Sequence, residues 1–341
     1  RTWDPSRGIY VQNWKYGDQG ISMQNPYWQS QQNTYGTKHQ RYMANASLKY
    51  QVLDWLDITG RVRIDNSNNF FEDKRYADTD IKFTSNSEKG FYKWQKIDDR
   101  QVYADLMATA NKTWDNFSLG ATAGVSFTQL YYDLHGYQGG LQDIPNLFHP
   151  KNILTSTTSD TYPLYEYYKQ RTNSIFASAE IGWKSMLYLT VTGRNDWDSA
   201  LAGTPHSSFF YPSVGLSALI SQMVKLPEWV SYLKVRGSYA SVGTAIPRNL
   251  TSDAHYKFDD ATQSWVTNEY PPLDELYPER TDSWEAGLSA KFWENRFSLD
   301  VTWYKSNTKK QTMLVPISAS GGYTKQYVQS LSLIHISEPT R

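Results

Sequence analysis

The sequence contains no cysteine in its 341 residues. It therefore has no disulfide framework, no thiol nucleophile and no cysteine-ligated metal site. It also has no net charge, because 34 basic and 34 acidic side chains cancel. A chain without net positive charge has no overall electrostatic attraction to nucleic acid, so nucleic acid is not expected as a partner.

Long apolar runs are missing as well. No stretch approaches the roughly 18 uninterrupted apolar residues of a membrane-spanning helix, and the mean hydropathy is -0.64. If the chain crosses a bilayer, a β-barrel is the remaining way to do so. Tyrosine (26) and tryptophan (13) are abundant, as expected where aromatic rings lie at a membrane interface or stack on sugars.

The sequence does contain a repeated alternation of apolar and polar residues. In the clearest segment, 117–128, every second residue is apolar and the others are Ser, Gly or Thr. Such alternation predicts strands with one apolar and one polar face, about ten in all. The segments are 42–50, 58–65, 102–110, 117–128, 175–183, 187–191, 210–220, 233–239, 284–292 and 297–303. Residues 222–229 fit one or two helical turns.

The predicted strands come in pairs, and two kinds of connection join them. Four turns within pairs are only a few residues long and lie beside Trp55, Trp114, Trp183 or Trp293. The connections between pairs are predicted as mostly long loops over 66–100, 128–173, 195–208 and 243–281. A soluble sandwich would explain the alternation, but not this segregation of loop length.

This pattern is typical of a bacterial outer-membrane protein. The predicted fold class is all-β, a partial transmembrane antiparallel β-barrel with short periplasmic turns and long extracellular loops. Residues 1–330 form this partial domain. Residues 331–341 match the translation of a sequencing-library adaptor and are excluded as an artefact. Without an initiator Met or signal segment, the chain is expected to be a piece of a longer protein.

Several short motifs follow one another along the chain. They are Asn25-Pro26-Tyr27-Trp28, Asp54-Trp55-Leu56 with Gly60-Arg61, Arg194-Asn195-Asp196-Trp197-Asp198-Ser199, Phe210-Tyr211-Pro212-Ser213, Leu233-Lys234-Val235-Arg236-Gly237-Ser238-Tyr239 and Pro278-Glu279-Arg280-Thr281. In this order, over about residues 20–330, the series resembles the SusC/RagA-type TonB-dependent outer-membrane transporters. Trp197 and Asp198 depart from the pattern, since Gly and Ser are commoner there.

The resemblance implies active import across the outer membrane of a Gram-negative bacterium. Such transporters have a 22-stranded barrel with a plugged lumen, and this chain would supply about ten of those strands. The implied partners are the TonB–ExbB–ExbD motor, reached through a missing N-terminal region, a SusD-like surface lipoprotein, an oligosaccharide or peptide substrate, and outer-membrane lipid. The resemblance implies no cofactor and no enzymatic activity.

Substrate contacts are expected in the long loops and on the polar face. Aromatic rings flanked by carboxylates suit sugars, which have apolar faces and hydroxyl edges. The candidates are Phe70, Tyr76, Tyr92, Trp94, Tyr131, Tyr132, Tyr137, Asp196 and Trp197. The alternative is that these rings pack the loops against each other or against a lid partner.

Catalytic and metal sites have little support. Asp196 with Asp198, or Asp259 with Asp260, could form a carboxylate pair for glycoside hydrolysis, but aspartates at strand ends commonly cap turns. The histidines at 39, 135, 149, 206 and 255 lack metal-ligand spacing. Two alternative functions remain: a binding or adhesive barrel without energy coupling, and a soluble β-rich glycan-binding protein or enzyme.

Overall fold

The computed structural model of the chain describes residues 1–13, 24–153, 162–202, 204, 207–244, 250, 257–259, 264–266, 270–273, 277–318, 320 and 322–330. Its strands, in chain order, are β1 (Thr2–Asp4), β2 (Ile9–Val11), β3 (Asn33–Leu53), β4 (Leu56–Tyr76), β5 (Gly90–Trp114), β6 (Phe117–Gly140), β7 (Tyr162–Trp183), β8 (Leu187–Asp198), β9 (Ser208–Leu219), β10 (Val230–Thr244), β11 (Lys257–Asp259), β12 (Ser264–Val266), β13 (Glu279–Phe292), β14 (Phe297–Lys309), β15 (Gln311–Pro316) and β16 (Lys325–Ser330). The helices are α1 (Pro26–Gln32) and α2 (Ile220–Met223), with short 3-10 turns at Ile81–Phe83, Pro150–Asn152 and Ser199–Leu201.

Ten strands form one antiparallel sheet, in the order β14-β13-β10-β9-β8-β7-β6-β5-β4-β3. The other six make three small hairpins. Each strand of the large sheet pairs with the next strand of that sheet along the chain. The ten predicted segments lie within it, except that 210–220 runs one residue past the end of β9, since Ile220 begins α2. The prediction of a partial antiparallel barrel wall is confirmed. No helix in the described part of the chain is long and apolar enough to cross a membrane.

The apolar residues of successive strands fall into register on one face. Leu106 lies opposite Val125, and Val125 lies opposite Ile175. Leu106 is 54% exposed, whereas the carboxylate of its neighbour Asp105, on the other face, is fully buried. The apolar face is therefore the outer one, and the polar face is the more enclosed.

The height of the apolar face fits a bilayer. On β6 it extends from Phe117 to Phe127, about 33 Å along the strand and about 23 Å across a membrane at a tilt near 45°. Tryptophans occupy the rim with the short turns. There Lys112 Nζ lies 5.6 Å from the ring centroids of both Trp55 and Trp114. This rim matches an aromatic girdle at the headgroups.

The strands run further than the sequence predicted, so the predicted loop bounds are wrong. Strand β4 continues to Tyr76 and β5 begins at Gly90, which leaves only 77–89 as a loop in place of 66–100. The loops predicted at 128–173, 195–208 and 243–281 also begin later and end earlier, because the strands that precede them run to Gly140, Asp198 and Thr244 and the next strands of the sheet begin at Tyr162, Ser208 and Glu279. The alternation weakens where lipid contact ends, but the strands keep pairing beyond it. The contrast between short turns and longer opposite connections is nevertheless confirmed.

Two segments outside the sheet are helical. The motif at residues 25–28 begins α1, with Asn25 as N-cap accepting a hydrogen bond from the Tyr27 amide and Pro26 in the first turn. The segment 222–229 contributes only the last residues of α2, a single helical turn. Residues 331–341 lie outside the described residues.

Candidate functional site: the polar face of the sheet

Arginine–carboxylate pairs line the polar face. Arg61 on β4 lies directly opposite Asp105 on β5, and its Nη2 is 2.8 Å from the carboxylate. Both Nε and Nη2 of Arg61 donate to Asp105. A two-pronged contact of this kind fixes the orientation of both groups.

Similar pairs recur along the sheet. Arg41 donates two hydrogen bonds to Asp65, at 2.8 and 2.6 Å. Arg194 donates to Asp196 at 2.7 Å and to the Ser174 hydroxyl at 2.8 Å. On the far side of the sheet, Arg236 lies 3.2 Å from Asp300 and 3.5 Å from Glu285.

These charges lie at the depth of the apolar band. Arg61 stands between Gly60 and Val62, and Val62 belongs to the apolar face. A charged residue facing lipid at mid-membrane depth costs about 2–4 kcal/mol, so such residues normally face a protein interior or a watery passage. The polar face can therefore line a passage for polar solutes.

The nine predicted contact residues lie on strands, not in the loops where sequence alone placed most of them. Alternate residues of a strand lie on opposite faces of the sheet, and the pairing from β4 to β8 contains no register shift. The face of each candidate can therefore be counted along its strand, and the nine residues fall into two groups. Seven share the face that continues the apolar band: Phe70, Tyr76, Tyr92, Trp94, Tyr131, Tyr137 and Trp197. Tyr132 and Asp196 share the polar face.

The outer group packs largely against its own neighbours. Trp94 lies between Phe70 and Tyr137, with ring centroids 6.5 and 6.0 Å away. The loop 141–153 folds over this surface through Phe148, whose ring is 4.8 Å from Tyr76 and 5.9 Å from Tyr92. These contacts hold the projecting strands and the loop together.

The inner group borders a more open surface. Tyr132 stacks on Tyr168 across β6 and β7, with ring centroids 5.0 Å apart and planes 9° from parallel. Burial raises the pKa of Tyr132, and the nearby carboxylates of Glu166 and Asp99 raise it further. Along the same face, Asp196 is held by Arg194. Stacked rings beside carboxylates suit a sugar or a peptide side chain.

The pairs Arg61–Asp105 and Arg236–Asp300 were missed as site residues, as was Tyr168. The same alternation that predicted the strands could have found them. The residues out of phase with the apolar stripe are the inner ones, and charges in that phase at mid-depth are functional candidates.

The carboxylates considered for catalysis are already engaged. Asp196 binds Arg194, while Asp198 accepts from Gln170 and caps the turn at Ala200. The side chains of Asp259 and Asp260 lie outside the described residues. Within the described part of the chain, no cluster of three metal-binding side chains occurs, and His206 and His255 lie outside that part.

Comparison with known proteins identifies the barrel. The sequence model of the family described as "TonB dependent receptor-like, beta-barrel" matches residues 1–331. None of the curated proteins compared with the chain matches it. The solved structure of the RagAB peptide transporter has a TM-score of 0.76 at 19% identity and covers 90% of this chain and 34% of the other. The ferric-catecholate import receptor Fiu from K12 E. coli has a TM-score of 0.52 at 11% identity and covers 88% of this chain and 44% of the other.

At these identities the structures show a shared fold, and the chain spans about a third of the RagAB chain's length. The predictions of an outer-membrane β-barrel and of a protein that is not an enzyme are confirmed. The chain belongs to the TonB-dependent receptor β-barrel family.

Proposed function

We propose that the chain forms part of the wall of an active importer that carries large polar nutrients across the outer membrane. The observation that carries this proposal is the series of Arg–carboxylate pairs at the depth of the apolar band, such as Arg61–Asp105. Barrels of more than about 16 strands have a lumen too wide for side chains to fill. A polar inner wall suits hydrated solutes.

The proposed substrates are oligosaccharides, with peptides as the alternative. Aromatic rings near carboxylates favour the first, and the likeness to the solved RagAB peptide transporter favours the second. The proposed partners are a SusD-like surface lipoprotein and the TonB–ExbB–ExbD motor. Both follow from the family motifs in the sequence, with Trp197 and Asp198 as departures from them.

Tyr132 and Asp196 are the proposed substrate contacts, because both lie on the polar face. Tyr168 joins them through its stack with Tyr132. For five of the seven outer-face candidates, Phe70, Tyr76, Tyr92, Trp94 and Tyr137, the ring contacts described above favour the packing alternative.

The test uses the full-length receptor, expressed in a host that lacks its own copy. Uptake of a labelled oligosaccharide and of a labelled peptide is measured with and without TonB. The proposal is supported if uptake of the oligosaccharide or of the peptide disappears without TonB. Uptake unaffected by TonB removal, or binding without uptake, would favour the uncoupled barrel. A protein found in the soluble fraction would favour the soluble glycan-binding alternative.

A neighbouring pair of residues tests the contact surface. Tyr132→Ala should raise the concentration for half-maximal uptake several-fold, because a stacked ring is worth about 1 kcal/mol. Tyr131→Ala, next in the chain but on the outer face, is the matched control and should leave uptake unchanged. Equal effects of the two changes would contradict the assignment of faces.

A further inference from the structure

Three cations lie on the outer face just beyond the extracellular edge of the apolar band. On β5, Arg100 is the first outward-facing residue beyond Val102. On β7, the outward-facing residues beyond Ile175 are Asn173, Arg171 and Lys169, in that order. Tyr131 on β6 joins them, since it pairs with Arg100 on one side and Lys169 on the other. The outer surface therefore has a basic cluster, defined here as Arg100, Lys169 and Arg171.

The basic cluster differs from the inner arginines in lacking carboxylate partners. Arg41, Arg61, Arg194 and Arg236 all form ion pairs. Within the described ranges, none of the three clustered cations forms one. Arg100 lies over the Tyr131 ring at 4.8 Å, Arg171 Nε donates to Gln129, and Lys169 is exposed.

The next outward-facing residues beyond Arg100 and Tyr131, further from the apolar band, are Asp98 and Asp133, which pair across β5 and β6. Asp133 already accepts from the Tyr131 hydroxyl at 3.0 Å and lies 2.8 Å from His135 Nε2. Three cations against these two carboxylates leave the edge of the band positively charged.

Below the basic cluster, the apolar face carries a groove. Small residues pair across four strands, in the series Ala108, Ala123, Ala177 and Gly193. They leave a cavity of ≈ 680 Å³ that Phe210 and Val214 border on one side. The six residue steps from Ala177 to Arg171 span about 20 Å of strand, or about 14 Å of depth at a 45° tilt. Half the hydrocarbon thickness is about 15 Å.

We propose that the groove and the basic cluster together form a binding site for one outer-leaflet lipid whose phosphate-bearing headgroup has a net negative charge. The phosphate lies against Arg100, Lys169 and Arg171, and one acyl chain lies along the small residues. Arginine and lysine are the side chains that bind phosphate oxygens best. The position of unpaired cations directly above an apolar groove matches the two ends of such a molecule and indicates a lipid rather than a free anion.

The test measures lipid retention by the full-length receptor. The protein is purified in detergent micelles that contain equal amounts of phosphatidylglycerol and phosphatidylcholine with identical acyl chains, and native mass spectrometry counts the lipids retained. We expect a preference for phosphatidylglycerol of about tenfold, which corresponds to about 1.4 kcal/mol. The combined change Arg100→Ala, Lys169→Ala and Arg171→Ala should abolish it.

Two further variants separate this site from general charge effects. Lys93→Ala, Lys234→Ala and Lys291→Ala remove the same charge from inner-face positions and should preserve the preference. Ala177→Phe fills the groove and should reduce phosphatidylglycerol retention while all three cations remain. Heat-dependent gel migration confirms that each variant is folded.

Equal retention of the two lipids by the unaltered receptor would overturn the proposal. So would a preference that survives the outer triple change, or one that the inner triple change abolishes as well. Unchanged retention in Ala177→Phe would show that the groove holds no acyl chain.

Discussion

Several inner-face glycines make room for a large side chain on the neighbouring strand. Gly124 on β6 lies opposite Phe176 on β7, and Gly182 lies opposite Tyr188. A Cβ at position 124 would be 2.7 Å from the Leu106 carbonyl oxygen and 2.8 Å from the Phe176 ring. The backbone of Leu106 cannot move away cheaply, so position 124 requires glycine.

We expect Gly124→Ala to destabilise the barrel by about 1–3 kcal/mol, the usual cost of overpacking. The matched control is Gly215→Ala, whose Cβ would meet nothing closer than 3.8 Å and which should be neutral or slightly stabilising. The measurement is the urea midpoint for loss of heat-dependent gel migration in the full-length receptor. Similar midpoints for the two variants would show that the strands can relax around a new methyl group.

The buried carboxylate of Asp105 gives a second prediction. Asp105→Asn removes the charge that accepts from Arg61 and should cost about 1–3 kcal/mol, because a buried charge-assisted bond is lost. Asp57→Asn is the control. The Asp57 carboxylate pairs with Lys49, whose side chain is 64% exposed, so this change should cost at most about 0.5 kcal/mol. The same urea titration measures both, and an Asp57 effect as large as that of Asp105 would contradict the argument.

Beyond the membrane, strands β4 and β5 are connected by a small polar network. The Tyr92 hydroxyl donates to Glu72 at 2.8 Å, and Lys74 lies 2.8 Å from the same carboxyl group. Burial opposes the charge on Glu72, but these two partners outweigh it and hold the Glu72 pKa below its ordinary value. Burial, with the neighbouring Glu72, raises the pKa of Tyr92.

The lowered Glu72 pKa makes the projecting strands sensitive to acid. Stabilisation by Glu72 is present above its ordinary pKa of 4.5 and is lost as pH falls through the lower folded value. Tyr92→Phe should reduce amide protection of β4 and β5 at neutral pH and make it less dependent on acidification. Hydrogen exchange, corrected for intrinsic rates, measures this.

Tyr42→Phe is the control for this prediction. Tyr42 is 60% exposed on the outer face, and its replacement should change neither protection nor pH dependence. Equal pH profiles for the unaltered protein and Tyr92→Phe would remove Glu72 as the source of the acid sensitivity.

The alternation of residues predicted all ten strands of the sheet because lipid on one side and water on the other impose a period of two. The strand ends could not be predicted this way, since β5 and β6 continue into water on both faces, where strand pairing and aromatic contacts extend them without an apolar–polar alternation. The helix α1 had a local signal, Asn25 before Pro26, that was overlooked. The face of each candidate residue, such as Tyr131 or Tyr132, could have been counted from the apolar stripe.

The packing of the loop 141–153 could not be predicted from local pattern. It depends on contacts between residues far apart in the chain, such as Phe148 with Tyr76. Asn152 holds the loop together by accepting from the amides of Asp143 and Ile144 and donating to two carbonyl groups. Such a network has no period in the sequence.

At the scale of the whole molecule, membership of the family places the chain in the outer membrane of a Gram-negative bacterium. The ten strands do not close, and β3 and β14 stand at the two ends of the strand order. Exposed strand edges in lipid leave backbone groups unpaired, so the wall depends on further strands for its stability.

Two adjacent positions on β8 test the orientation of this wall. Val191→Arg places a charge on the outer face and should cost about 2–4 kcal/mol near mid-membrane. Thr190→Arg places the same side chain on the inner face, where the Thr190 hydroxyl now donates to Glu180, and should cost much less. Folding yield into lipid vesicles measures both, and the opposite ranking would reverse the assignment of the faces.

The length of strands β5 to β7 beyond the bilayer has a consequence for recognition. Tyr132 and Tyr168, the proposed substrate contacts, stand on a hydrogen-bonded sheet, so their rings are ordered without a ligand. Immobilising a mobile side chain on binding costs about 0.5–1.5 kcal/mol. A solute that meets this surface avoids much of that entropic loss, and a small number of weak contacts can then suffice to retain it.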